Sequence, residues 1–238
     1  MSSLPDERLL GENGGRSVVN PEDLRLAVYD ELARTGRAPS IEDLRVRFGA
    51  VEADVRDGLR SLAAARHVVL DGDDRILMAH PFATISLGFA VMGRSLWWGG
   101  CAWDSFAIPS VVADEPEVLV STLCPGCGRP HAWVVGRDAP PDGDQVAHFL
   151  VPFQRMWDDV VTTCSNQRIF CSTACVDQWL ATENLERGYV LDLATLWRLA
   201  RHWYDGRLDH GYERRSPEAA AAYFRDVGLR GPFWGLEA

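Results

Sequence analysis

Residues 97–109 read Trp-Trp-Gly-Gly-Cys-Ala-Trp-Asp-Ser-Phe-Ala-Ile-Pro. Cys101 precedes Asp104 by three positions, so thiol and carboxyl share a face if the segment turns helically. A second isolated cysteine, Cys164, lies in Val160-Val161-Thr162-Thr163-Cys164-Ser165-Asn166. Taken alone, each cysteine reads as a small buried apolar group. Two spare thiols with a carboxylate beside one of them, among aromatics and glycines, form a less ordinary set. Soft thiolates select soft metals, and an adjacent carboxyl group can carry a proton.

The other four of the six cysteines form two close pairs, Cys124-Pro-Gly-Cys127 and Cys171-Ser-Thr-Ala-Cys175. The first pair predicts a knuckle turn whose amides face the sulfurs. The second opens a helix, whose N-terminal dipole favours thiolate. Together they predict a treble-clef-like structural zinc site, although the second spacing is three residues instead of the commoner two. Four thiolates leave no open position, so zinc there holds the fold and does no chemistry.

Working outward, residues 20–80 read as three helices and a hairpin. Leu24, Ala27, Val28 and Leu32 share one helical face after an Asn20 cap and Pro21, with Gly36 as the stop. A second helix begins at Ser40 and ends at Gly49, and a third carries Val51, Val55, Leu59 and Leu62 to about Arg66. His67–Leu70 and Arg75–Met78 flank the turn Asp71-Gly72-Asp73-Asp74. This order predicts a winged helix-turn-helix. Its third helix sets Glu52, Asp54 and Asp57 against Arg56, Arg60 and Arg66, so it lacks the positive charge a DNA reader gathers. A packing or docking module is the favoured reading.

After Pro81, Ile85–Met92, Glu117–Ser121, His131–Val135 and Val146–Val151 read as strands of a mixed sheet. Helices are expected from Cys171 to Leu180, around Leu191–Asp205 and after Ser216-Pro217-Glu218. The expectation is an α+β chain: a flexible tail over 1–19, a winged-helix-like domain over 20–80, and a mixed-sheet domain with C-terminal helices over 81–238.

Composition narrows the function. The 238 residues are 47% hydrophobic and 24% charged, which suits a packed core. A net charge of -10 argues against a protein built to grip phosphate backbones. All 24 basic residues are arginine, which excludes a Schiff-base or P-loop lysine. The chain shows no dinucleotide fingerprint and no Ser-His-Asp order, so no organic cofactor is expected. It has no long apolar run and no secretory layout at its start, so a cytoplasmic protein without membrane contact is expected.

The order of these features resembles the alkylmercury (organomercurial) lyases over about residues 21–185. It comprises a winged-helix-like module, then Cys101-x-x-Asp104 before Phe106-Ala107-Ile108-Pro109, then Cys164 ahead of Ile169-Phe170 and Asp177-Gln178-Trp179-Leu180. The resemblance implies carbon–mercury protonolysis. Cys101 and Cys164 would bind the substrate mercury as thiolates, and Asp104 would deliver the proton that releases hydrocarbon. Mercury is a soft metal, and protonation at carbon needs a positioned acid away from bulk water. Trp97, Trp98, Trp103 and Phe106 are candidates for an apolar pocket around the organic group. Cellular thiols or a metal-accepting partner would take the product.

The chain departs from that family in the Cys124, Cys127, Cys171 and Cys175 set and in its C-terminal helices after about Gly188. Three alternatives therefore stand beside the lyase. One is a related soft-metal or carbon–heteroatom lyase in a biosynthetic pathway. Another is a zinc-containing, metal-responsive winged-helix regulator, and the last is a zinc-stabilised scaffold. Among the histidines, His131 could serve as a substitute zinc ligand, and His202 and His210 read as surface or capping residues.

Overall fold

The structure is a computed structural model that describes residues 19–237. Of the expected tail over 1–19, all but Val19 lies outside the described residues. Helix α1 (Pro21–Thr35) starts where the Asn20 side chain accepts hydrogen bonds from the amides of Glu22 and Asp23, at 2.8 and 3.3 Å. Helix α2 (Ile41–Phe48) opens on a capping box between Ser40 and Asp43. Helix α3 (Glu52–Ala64) buries Val55, Leu59 and Leu62. Strands β1 (Val69–Leu70) and β2 (Ile76–Ala79) pair antiparallel. Their turn is set by the Asp71 carboxylate, which accepts from the amides of Asp73 and Arg75 at 2.8 and 2.9 Å.

The sheet continues beyond this hairpin. Strand β3 (Phe82–Ala83) pairs with β2 and leads through β5 (Leu96–Gly99), β4 (Phe89–Met92) and β6 (Glu117–Leu123) to β7 (Pro130–Gly136). Every neighbouring pair in this seven-stranded sheet is antiparallel. Buried Trp97 of β5 donates from Nε1 to the Leu32 carbonyl at 2.9 Å, which fastens α1 to the sheet. A second antiparallel sheet orders β10 (Tyr189–Asp192), β8 (Val146–Phe149) and β9 (Gln167–Phe170). The architecture is α+β, and both sheets are antiparallel throughout in place of the expected mixed sheet: β5 and β6 flank β4, and β9 and β10 flank β8, so these two crossovers keep their parallel strands one strand apart.

Helix α4 (Ala102–Val111) lies at the centre, packed against β4, β5 and β6 and against α7 (Leu193–Arg201). Residues 102–109 are all buried. Burial on every side is why α4 carries no amphipathic stripe in the sequence. The remaining helices are α5 (Val160–Ser165), α6 (Thr173–Glu183) and α8 (Pro217–Asp226).

Several expected boundaries move. The strand expected over Ile85–Met92 starts only at Phe89, after a turn at Gly88 with φ of 104°. The strand expected over Val146–Val151 ends at Phe149, where its pairing with β9 and β10 stops. The helix expected around Leu191–Asp205 begins at Leu193, because 189–192 pair with β8 and the Asp192 carboxylate caps α7 through the Thr195 amide at 2.6 Å. No helix among the described residues is long and apolar enough to cross a membrane.

Candidate active site

Gly99 and Gly100 turn β5 directly into α4. A Cβ on Gly100 would strike the Asp104 carboxylate and come within 2.7 Å of Met78 Cε, so glycine is what lets the carboxyl lie beneath the turn. Cys101 becomes the N-cap of α4, its Sγ accepting from the Asp104 amide at 3.5 Å. The same three-residue step lets the Cys101 thiol donate to Asp104 Oδ2 at 3.3 Å. The other carboxyl oxygen accepts from the Tyr204 hydroxyl. Helix α5 brings in Cys164, and the end of β2 brings in His80. His80 Nε2 lies 3.5 Å from Cys164 Sγ and 3.9 Å from Asp104 Oδ2. Donor atoms of His80, Asp104 and Cys164 all lie within 4.8 Å of one another. Cys101, Asp104 and Cys164 are 2%, 1% and 4% exposed, so these groups meet away from bulk water.

Burial and contact distribute the protons. Burial pushes the Cys101 thiol well up, and the neighbouring Cys164 and Asp104 push it the same way. Burial also raises the Asp104 carboxyl, against the opposing pull of His80, Tyr204 and Cys101. Cys164 is held below the usual thiol range, because its contacts with the neighbouring Cys101 and His80 outweigh its burial. For His80, burial pulls downward, but the Asp104 carboxylate and the Cys164 sulfur prevail and its value rises. The site thus sets a more acidic sulfur, Cys164, against a less acidic one, Cys101, with the Asp104 carboxyl group in contact with the Cys101 thiol.

These groups line a cavity of about 70 Å3 whose walls include Trp103, Trp157, Trp203 and Arg207. Of the four aromatics expected around the organic group, only Trp103 reaches it. Trp97 is committed to the Leu32 carbonyl, and Phe106 packs against Trp133 at 6.0 Å. Trp98 is half-buried away from this cavity. Alternation along β5 sends Trp97 and Trp98 to opposite faces of the sheet.

Cys124, Cys127, Cys171 and Cys175 also converge, with all four sulfurs within 4.8 Å of one another. Cys127 and Cys171 Sγ are 3.3 Å apart, and the Cys171 amide donates to Cys124 Sγ at 3.5 Å. A Cβ on Gly126 would collide with the Cys175 carbonyl, so the knuckle packs directly on the backbone of the second pair. Four sulfurs around a tetrahedral cation with bonds of about 2.3 Å sit roughly 3.8 Å apart, so this donor set suits such an ion. His131 Nε2 lies 3.3 Å from Cys171 Sγ, at the edge of the cluster.

The fold and the first cavity define an α+β protein in which two thiols and a carboxyl group line one buried cavity. The family model described as MerB, alkylmercury lyase, matches residues 87–205, which is half of the chain, and the chain belongs to that family. Among solved structures, the mercury-bound form of MerB2 superposes with a TM-score of 0.59 at 18% identity, covering 79% of this chain and 92% of that one. That likeness establishes a shared fold. No curated protein matches the chain at a significant level.

Cys101, Asp104 and Cys164 all fall inside the matched segment. His80 and Arg207 fall outside it and carry no local motif. The sequence offers only weak pointers to them: a histidine at the end of a strand, and an arginine in a charged segment after α7.

Proposed function

We propose that the protein cleaves a carbon–mercury bond by protonolysis, with Cys101 and Cys164 as thiolate ligands of the substrate mercury and Asp104 as the proton carrier. The observation that carries this reading is the convergence of the two sulfurs and one carboxyl group in a single buried cavity. Cys164, the more acidic sulfur, displaces the thiol that accompanies the organomercury cation. The Cys101 proton passes to Asp104 Oδ2, and the Cys101 thiolate becomes the second sulfur on mercury. Electron donation by two sulfurs makes the mercury-bound carbon basic. Asp104 then returns the proton to that carbon, the carbon–mercury bond breaks and hydrocarbon leaves. Two small thiols carry the dithiolate mercury away and restore the protons on the protein.

Cys124, Cys127, Cys171 and Cys175 are proposed to hold structural zinc. When bound, zinc supplies a crosslink between the β6–β7 knuckle and the start of α6, with no open position for chemistry. The helices and hairpin of residues 20–80 are proposed as a winged-helix-type packing module. Their third helix is threaded by ion pairs such as Arg56–Glu52 at 2.7 Å and Arg60–Asp74 at 2.6 Å, which occupy its cations.

The test is anaerobic turnover of phenylmercury with excess 2-mercaptoethanol, following benzene release. Release by wild type and none by folded Cys101→Ser or Cys164→Ser supports the assignment. Absence of benzene from folded wild type overturns it.

A further inference from the structure

Arg207 is 6% exposed, yet its Nε and Nη1 are buried without a hydrogen-bond partner. Its guanidinium lies over the rings of Tyr212, Tyr204 and Tyr29 at 4.5, 5.1 and 5.6 Å, which steady the cation without satisfying its donors. Arg207 and Arg214 both line the active-site cavity, and among the described residues neither forms an ion pair. Arg214 is placed by its own stacking on Trp157 at 4.6 Å and by a bond to the Arg66 carbonyl at 2.7 Å. Burial first, and then the Arg207 charge, hold Arg214 below the usual arginine range. Asp104 is the one carboxylate among the cavity-lining residues, and its two oxygens are already engaged by Tyr204 and Cys101. Arg207 thus brings two buried, unpartnered donors to a cavity that Arg214 also lines, and an incoming anion would satisfy them. A planar fork of donors matches a carboxylate.

We infer that Arg207 and Arg214 form a carboxylate subsite, so that the preferred substrate is an organomercury species that carries a carboxylate. The inference rests on the organomercurial reading of the cavity and specifies its substrate class. The carboxylate has two sources: the organic group itself, or the thiol that travels with the mercury. Both arginines line the same space of about 70 Å3 as the two sulfurs, so metal and carboxylate are held in one cavity.

Three comparisons test this. First, tryptophan fluorescence is titrated with benzoate and with benzyl alcohol, a mercury-free pair. Benzoate should bind at least about tenfold more tightly, and Arg207→Gln should remove the difference. Second, KM is compared for p-carboxyphenylmercury and phenylmercury in 2-mercaptoethanol. Third, KM for phenylmercury is compared in mercaptoacetate and in 2-mercaptoethanol. An advantage in the second comparison assigns the carboxylate to the organic group, and one in the third assigns it to the thiol. Either should collapse in Arg207→Gln and return in part in Arg207→Lys. Arg214→Gln reads the same ratios should Arg207→Gln not fold. Equal binding of benzoate and benzyl alcohol by wild type, or an advantage that survives both glutamine variants, overturns the subsite. Benzoate selectivity without hydrocarbon release from any mercurial would retain the subsite and overturn the lyase reading.

Discussion

The Tyr204 hydroxyl donates to Oδ1 of Asp104 while the Cys101 thiol donates to Oδ2, so the carboxyl group is held on both oxygens. The two residues are 100 positions apart, and their contact ties the segment after α7 to the first turn of α4. A carboxyl fixed at one oxygen can exchange a proton through the other without rotating.

Replacing Tyr204 with Phe removes that restraint and lets Asp104 rise further, since the Tyr204 bond is one of the interactions pulling it down. The expected result is a kcat lower by about tenfold with little change in KM, from loss of a hydrogen bond to a charged group. Steady-state kinetics on phenylmercury measures it; a changed KM with an unchanged kcat would contradict a role at Asp104.

His80 Nε2 steadies Cys164 Sγ at 3.5 Å. His80→Phe should slow capture of phenylmercury by roughly ten- to hundredfold, the worth of a hydrogen bond to a charged partner. Stopped-flow quenching of tryptophan fluorescence under pseudo-first-order conditions reads that rate. Capture at the wild-type rate would remove His80 from the site.

His148 gives the fold an acid-sensitive point. It is fully buried, and its Nε2 accepts the Gly188 amide at 2.9 Å, which requires a neutral ring. Burial first, then Arg187, lowers it from 6.5 to about 4. Below 6.5 the unfolded chain binds a proton that the folded chain refuses, so stability is full above that pH and falls as pH drops toward 4. At pH 4.5, two units below the unfolded value, the loss should be on the order of 2 kcal/mol. Urea unfolding at pH 7 and pH 4.5 measures it, and His148→Gln should shrink the difference, with His67, also lowered by burial to about 4, keeping part of it.

The cysteine cluster should carry about one zinc per chain, released when its thiols are modified in the presence of a chromophoric chelator. Cys175→Ser should lower zinc content and Tm together, while Cys101→Ser should leave zinc content intact. Zinc-free protein with the full Tm would contradict a structural metal.

Legibility in the sequence followed locality. The caps at Asn20 and Ser40, the Asp71 turn and the Cys-x-x-Asp step are each written within a few residues, and each forms at the expected place. Helix α4 escaped a periodicity reading because it is apolar all round, and β10 was absorbed into the helix it precedes. His80, Tyr204 and Arg207 were out of reach for a different reason. They join the cavity only through tertiary packing, with 84 positions separating His80 from Cys164, and no spacing rule spans that distance. The Trp97 assignment failed on strand alternation, which turned that ring toward α1.

The most direct test of proton delivery by Asp104 is a single turnover of phenylmercury in D2O, wild type against Asp104→Asn, with benzene analysed by mass. Protonolysis through the Cys101–Asp104 pair predicts singly deuterated benzene from wild type, mercury retained on the protein, and release slowed by at least about a hundredfold in the variant. Undeuterated benzene, or equal rates from wild type and a folded Asp104→Asn, would contradict it.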